Sequence, residues 1–122
     1  MTLPAICLIA VPGRRRRTLE LAQEIEKRGY AGIFSPSPFG NMSLCEALSW
    51  KTERITFGTA IAPIYQRTIT DFAQSAAAMH EVSGGRFRLG IGYGGDSTRG
   101  GQAMNYGPLV FLAAFFALAS SW

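Results

Sequence analysis

Histidine is almost missing from this chain, and acidic residues are few and stop early. One histidine, His80, stands against eight acidic and twelve basic residues among 122. Nothing acidic follows Asp96. The two cysteines, Cys7 and Cys45, have no second cysteine or histidine at a metal-ligand spacing. Together these shortages exclude a metal centre built from His and Cys, and none is expected. Cys7 lies in an apolar run and Cys45 in a helical one, so both read as reduced core thiols of a cytoplasmic protein. His80 falls on a helix away from strand ends, where a packing or surface role suits it better than catalysis. The apolar run Leu109–Ala119 is shorter than the roughly 18 to 20 residues that span a bilayer, so no stable membrane span is expected. A secretory signal is also excluded, because the apolar stretch Pro4–Val11 precedes the arginines rather than following them.

What is present suits a packed core. Hydrophobic residues make up 48% of the chain, which argues against wholesale disorder. The net charge of +4 owes much to one run, Arg14–Arg17. No aromatic residue interleaves with it, so it reads as a solvated loop rather than a nucleic-acid contact.

Apolar strands and amphipathic helices alternate along the chain. Ala5–Val11 is a continuous apolar run that suits a strand buried on both faces. Thr18 can cap a helix whose inner face holds Leu21, Ala22 and Ile25, and Gly29 ends it. Tyr30–Ser35 is a second strand. Ser43 and Glu46 fit a capping box for a helix carrying Leu44, Ala47 and Leu48 inward. Ile55–Ala62 is a third strand. Thr68 or Thr70 caps a third helix with Ile69, Phe72, Ala73, Ala76 and Met79 inward, closed by Gly84 and Gly85. Phe87–Gly92 is the fourth strand. Such alternation predicts an α/β fold with a parallel sheet, either an open doubly wound sheet or a (β/α)8 barrel.

The glycines of the fourth strand bear on that choice. Gly90, Gly92 and Gly95 match a dinucleotide fingerprint in form, but no periodic helix follows and the later acidic residue is missing. In a barrel, Phe87, Leu89 and Ile91 would face the helices, while Gly90 and Gly92 would face inward and leave room for a ring system. Gly58 and Ala60 alternate in the same way on the third strand. Tight packing of strands explains such glycines equally well.

Three separated segments make the pattern specific: T-E-R-I-T-F-G-T-A-I-A-P-I at 52–64, the helix over 71–81, and V-S-G-G-R-F-R-L-G-I-G at 82–92. In order and spacing they resemble the luciferase-like monooxygenase family, over about residues 3 to 94. The resemblance implies a partial TIM (β/α)8 barrel of about four βα units, a half-barrel, binding coenzyme F420 or alternatively FMN. Its implied activity is oxidation or reduction of a small organic substrate, with chemistry supplied by the coenzyme. The implied coenzyme surface comprises Ser35, Ser37, Gly58, Ala60, Ile61, Gly92, Gly94 and Asp96. It also implies a non-prolyl cis peptide at Ala60-Ile61. Many members carry an Asp-His pair after the second strand; Ser37-Pro38 stands there in this chain, so proton transfer at that position is excluded. Asp96 lies one residue beyond the place of a glutamate found in some members. No catalytic acid or base is assigned.

A whole barrel has eight strands and about 250 residues. The chain therefore divides into 1–94, the barrel-like half, and 95–122, a glycine-rich then apolar tail. A helix over 109–119 would be apolar on every side and would need burial. Two expectations follow. The chain is a truncated oxidoreductase, or it is a non-catalytic half-barrel that acts by self-assembly or protein interaction. The exposed half-barrel and apolar tail would then form a homodimer.

Overall fold

The computed structural model describes residues 3–93 and 114–116. Its elements run β1 (Ile6–Cys7), α1 (Arg15–Lys27), β2 (Gly32–Ser35), α2 (Asn41–Lys51), β3 (Thr56–Thr59), β4 (Ala62–Pro63), α3 (Ile69–Val82), β5 (Phe87–Gly92) and β6 (Ala114–Phe116). The strands β1, β2, β3 and β5 are parallel and neighbour one another in chain order. A doubly wound sheet reverses its strand order at a switch point, and these strands do not. The α/β architecture is that of a partial (β/α)8 barrel.

Register explains the two faces of the sheet. Ile6, Ile33, Phe57 and Phe87 lie opposite one another across four strands and point into the core. Phe57 and Phe87 meet with ring centroids 5.7 Å apart. Cys7, Phe34, Gly58 and Arg88 form the next row, on the other face. The helices cover the first face. Ala22 and Ile25 of α1, Leu44, Cys45 and Leu48 of α2, and Phe72, Ala76 and Met79 of α3 are buried against it.

Several expectations change at this point. Of the run 5–11 only Ile6–Cys7 is strand, and the run is buried on one side only: Leu8 and Ala10 are buried, whereas Cys7, Ile9 and Val11 are exposed. Cys7 is therefore no core thiol, while Cys45 is, and burial raises its thiol pKa. The arginine run is the start of α1 rather than a loop. Thr18 is not its cap but a buried residue inside it, whose hydroxyl donates to the Arg14 carbonyl at 3.1 Å. Leu21 turns outward, since Thr18, Ala22 and Ile25 fill the buried stripe. Ser43 does not cap α2; that helix begins at Asn41 after a left-handed Gly40. Thr68 does cap α3, accepting from the Asp71 N–H at 3.1 Å. On α3, Ile69 and Ala73 are exposed, because the helix docks only through Phe72, Ala76 and Met79.

The third strand of the sequence reading is split in two. Gly58 pairs with Arg88 and Ala62 with Ile91, four steps along one strand against three along the other. The extra residue makes a bulge over 59–61. The peptide bond Ala60-Ile61 is cis, as the resemblance implied.

The tail also departs from expectation where it is described. Ala114–Phe116 is a strand, not helix, and pairs antiparallel with Leu89–Ile91 of β5. Ile91 pairs with both Ala62 and Ala114, so β6 occupies the edge of β5 opposite β4. An unpaired strand edge offers backbone partners that a lone apolar helix lacks. The rest of the expected tail lies outside the described residues.

Candidate functional site

Local chemistry first fixes the shape of the strand ends. The run S-P-S-P-F-G after β2 is poor in helix formers, and Phe39 and Gly40 both take left-handed backbone, with φ of 67° and 84°. That turn launches α2 directly above the sheet end. Asn41, its first residue, is 1% exposed. Its Nδ2 donates to the carbonyls of Ser35 at 3.1 Å and Ile61 at 2.8 Å. The Ala60 N–H donates to the same Ser35 carbonyl at 2.8 Å. Thr59 Oγ1 donates to the Gly90 carbonyl at 2.8 Å and accepts from the Gly90 N–H at 3.0 Å. The Ile64 N–H donates to the Gly92 carbonyl at 3.0 Å. The C-terminal ends of β2, β3 and β5 are thereby joined through the bulge.

The sequence-derived residues separate into groups. Ser35 is buried at the end of β2 and its Oγ has no partner. Ser37 is half-buried in the following turn. Ala60 is exposed on the bulge, and Ile61 is half-buried beside it. Ile61 Cδ1 occupies the space where a Gly92 side chain would stand, so the strand end of β5 touches the bulge. Gly58 is different. A Cβ there would run into the Arg88 backbone, and one at Gly90 would run into the Thr59 carbonyl. Close approach of strands, not space for a ring, accounts for these two glycines. Gly94 and Asp96 lie outside the described residues.

Three neighbours of this end escaped the sequence reading. Asn41 is the most connected, and its place just after a turn-forming run was the available signal. Tyr65 and Tyr93 meet edge to face at 5.3 Å, and Tyr65 is 70% exposed. Tyr93 beside it raises the Tyr65 hydroxyl above its ordinary 10.0. His80 sits away from these ends, half-buried, with its ring against Gly85 and Nδ1 unpartnered. Among the described residues, no group of three or more His, Cys, Asp or Glu could hold a metal ion, and no helix is long and apolar enough to cross a membrane.

The opposite end of the sheet is a fastening rather than a site. The Arg86 guanidinium donates to Thr52 Oγ1 at 2.8 Å and to the carbonyls of Thr52 at 2.9 Å, Ile55 at 3.0 Å and Ser83 at 2.7 Å. It also lies 5.2 Å from the Phe57 ring centroid. Burial lowers its pKa below the ordinary arginine value, while Glu26 nearby acts the other way.

A ring-type coenzyme needs an open, side-chain-poor surface at the strand ends. The exposed Ala60 offers such a surface, whereas the unpartnered Ser35 hydroxyl is fully buried at the end of β2.

Comparisons with known proteins bear on the fold and the family. A putative coenzyme F420-dependent oxidoreductase of Mycobacterium tuberculosis is 31% identical over 81 residues, covering 65% of this chain and 23% of its own. A 5,10-methylenetetrahydromethanopterin reductase of Methanolobus tindarius is 30% identical over 80 residues, covering 63% and 24%. The chain thus spans about a quarter of the length of the curated relatives it matches. A solved structure, the coenzyme F420-dependent tetrahydromethanopterin reductase of Methanopyrus kandleri, superposes with a TM-score of 0.68 at 23% identity. The superposition covers 80% of this chain and 28% of that one, and it shows the shared fold. The sequence model for luciferase-like monooxygenases matches residues 5–106. The chain belongs to the luciferase-like monooxygenase family.

Proposed function

We propose that this chain contributes the coenzyme-facing end of an F420-dependent oxidoreductase acting on a small organic substrate, with FMN as the alternative coenzyme. The observation that carries the reading is the bulge over 59–61, which presents Ala60 openly while buried hydrogen bonds hold its flanks. Two of the similar proteins are F420-dependent by name, which supports F420 over FMN. When bound, such a coenzyme supplies two-electron redox chemistry. This chain's residues would bind and orient it: Ala60, Ile61 and Gly92 against the ring, Ser35 and Ser37 at its edge, with Gly94 and Asp96 assigned to the same surface by sequence position. Gly58 would act one step back, by letting β3 and β5 close together. The cytoplasm is the proposed setting, a reducing compartment suited to two free cysteines.

Titration of purified protein into F420, and separately into FMN, tests this by quenching of coenzyme fluorescence. Saturable quenching by F420 at tens of micromolar protein or below is the expected result. Absence of quenching by either coenzyme over that range overturns the reading.

A second reading, assembly without catalysis, is favoured by one observation. The sheet face opposite the helices carries exposed Cys7 beside the half-buried Phe34, and the segment that follows β1 adds exposed Ile9 and Val11. A second copy of the chain covering that face would give the homodimer expected from the sequence.

A further inference from the structure

Asparagine favours the cap position just before a helix, where its side-chain oxygen accepts from an N–H of the first turn. Gly40 holds that position here, and Asn41 is the first helical residue. The helix α2 has no side-chain cap, and both polar hydrogens of the Asn41 amide are directed across to the sheet, one to the Ser35 carbonyl and one to the Ile61 carbonyl. The side chain is almost wholly buried while making these contacts. The turn that precedes it is also unusual. Phe39 holds a left-handed backbone that favours glycine, although its own side chain is 54% exposed and gains little by packing. Such a conformation persists only where surrounding structure imposes it. Here the consequence of the turn is that α2 begins with its first side chain aimed at the bulge.

We propose that Asn41 is a positioning residue for the coenzyme-facing bulge. Its amide fixes Ile61 relative to the end of β2, and the Phe39–Gly40 turn aims that amide. The Ser35 carbonyl is the shared anchor, since it also accepts from the Ala60 N–H. The Asn41 amide thus ties Ile61 to the same carbonyl of β2 that the Ala60 N–H reaches directly. The coenzyme part of this inference rests on the function proposed above; the anchoring part does not.

Asn41→Leu keeps the approximate volume and removes both donors, and Asn41→Gln keeps both donors but displaces them by one methylene. Hydrogen exchange read by NMR gives the anchoring result without any coenzyme. In Asn41→Leu, the Ala60 and Ile64 amides are expected to exchange about tenfold faster or more, while Leu8 and Ala31, which bond between the first two strands, keep their rates. If Asn41→Leu does not fold, Asn41→Gln is read by the same pair of regions. Unchanged exchange at Ala60 and Ile64 overturns the proposal. So does faster exchange everywhere, which would mark Asn41 as general core packing. In protein that binds F420, the same variant is expected to lose about tenfold in affinity, or 1.4 kcal/mol, with little change in melting temperature. An affinity unchanged alongside loosened exchange overturns the coenzyme part alone. Failure of the unaltered protein to bind F420 sinks the proposed function and leaves the exchange result to decide the anchoring.

Discussion

Glu26 fastens the beginning of β3 from a distance. Its carboxylate accepts from the backbone N–H groups of Glu53, Arg54 and Ile55 at 2.8–3.1 Å. Burial alone would raise its pKa, but those three donors together outweigh it and hold the carboxyl below the ordinary 4.5. Folding therefore favours the ionised form. The stabilisation is fully present above 4.5 and is lost as pH falls through the lower, folded value. Glu26→Gln removes that charge. Thermal melts taken from about pH 3 to about pH 7 should show the unaltered protein melting higher than Glu26→Gln at neutral pH, with the two curves converging in acid. Parallel curves across that range would contradict the assignment. The sequence reading of this helix left Glu26 without a role. Its partners lie 27 to 29 residues away, and only the docking of α1 beside the α2–β3 turn brings them within reach. Asn41 escaped notice for the same reason: its second partner, Ile61, is 20 residues distant.

Helix type was plain in the sequence, and Thr68 marked the start of α3, but the starts of α1 and α2 were not legible. Apolar spacing identified α1, α2 and α3, because apolar residues three or four apart line one side of a helix. Starts depend on backbone hydrogen bonding, which composition reports poorly. The first turn of α1 consequently holds Arg15, Arg16 and Arg17, with no acidic residue and no side-chain cap. Three positive charges there oppose the positive end of the helix dipole, and among the described residues only Arg17 has an acidic partner, Glu20 at 3.1 Å. Arg16 is exposed. Replacing it with glutamate should stabilise the protein by about 0.3–1 kcal/mol at low salt, an effect that screening reduces. Urea unfolding of Arg16→Glu and the unaltered chain, at low and at high salt, measures this. A variant less stable at low salt would mean that the arginines answer to something other than the helix. Strands show the converse pattern. Phe87–Gly92 was legible to the residue, since a glycine pair precedes it and alternation runs through it. The break between β3 and β4 was not legible in the alternation itself, where I-T-F-G-T-A-I-A reads as one strand; the family resemblance pointed to it at Ala60-Ile61.

At the scale of the whole molecule, the sheet has two unlike faces. One is sealed by three helices over Ile33, Phe57 and Phe87. The other carries Cys7, Phe34, Gly58 and Arg88 in a row, with Ile9 and Val11 exposed beyond them at 41% and 40%. In a closed barrel this second face is the packed interior, where layers of side chains from all strands meet. The sequence recorded the barrel as alternation of strand and helix, but it read Ala5–Val11 as buried on both sides, because apolar residues supplied for an interior look alike whether or not a partner covers them. Exposed apolar area of this kind favours association. Sedimentation velocity should therefore show a mass that rises with protein concentration across about 1–100 µM, the range in which modest interfaces assemble. Ile9→Glu places a charge in the middle of the face without touching the helix-side core, and should return the protein toward monomer while leaving its circular dichroism unchanged. A strictly monomeric chain over that range would remove the assembly reading. Association that persists undiminished in Ile9→Glu would move the contact elsewhere. The β1 edge is then the alternative surface among the described residues, since β6 already pairs with the outer edge of β5 along Leu89–Ile91.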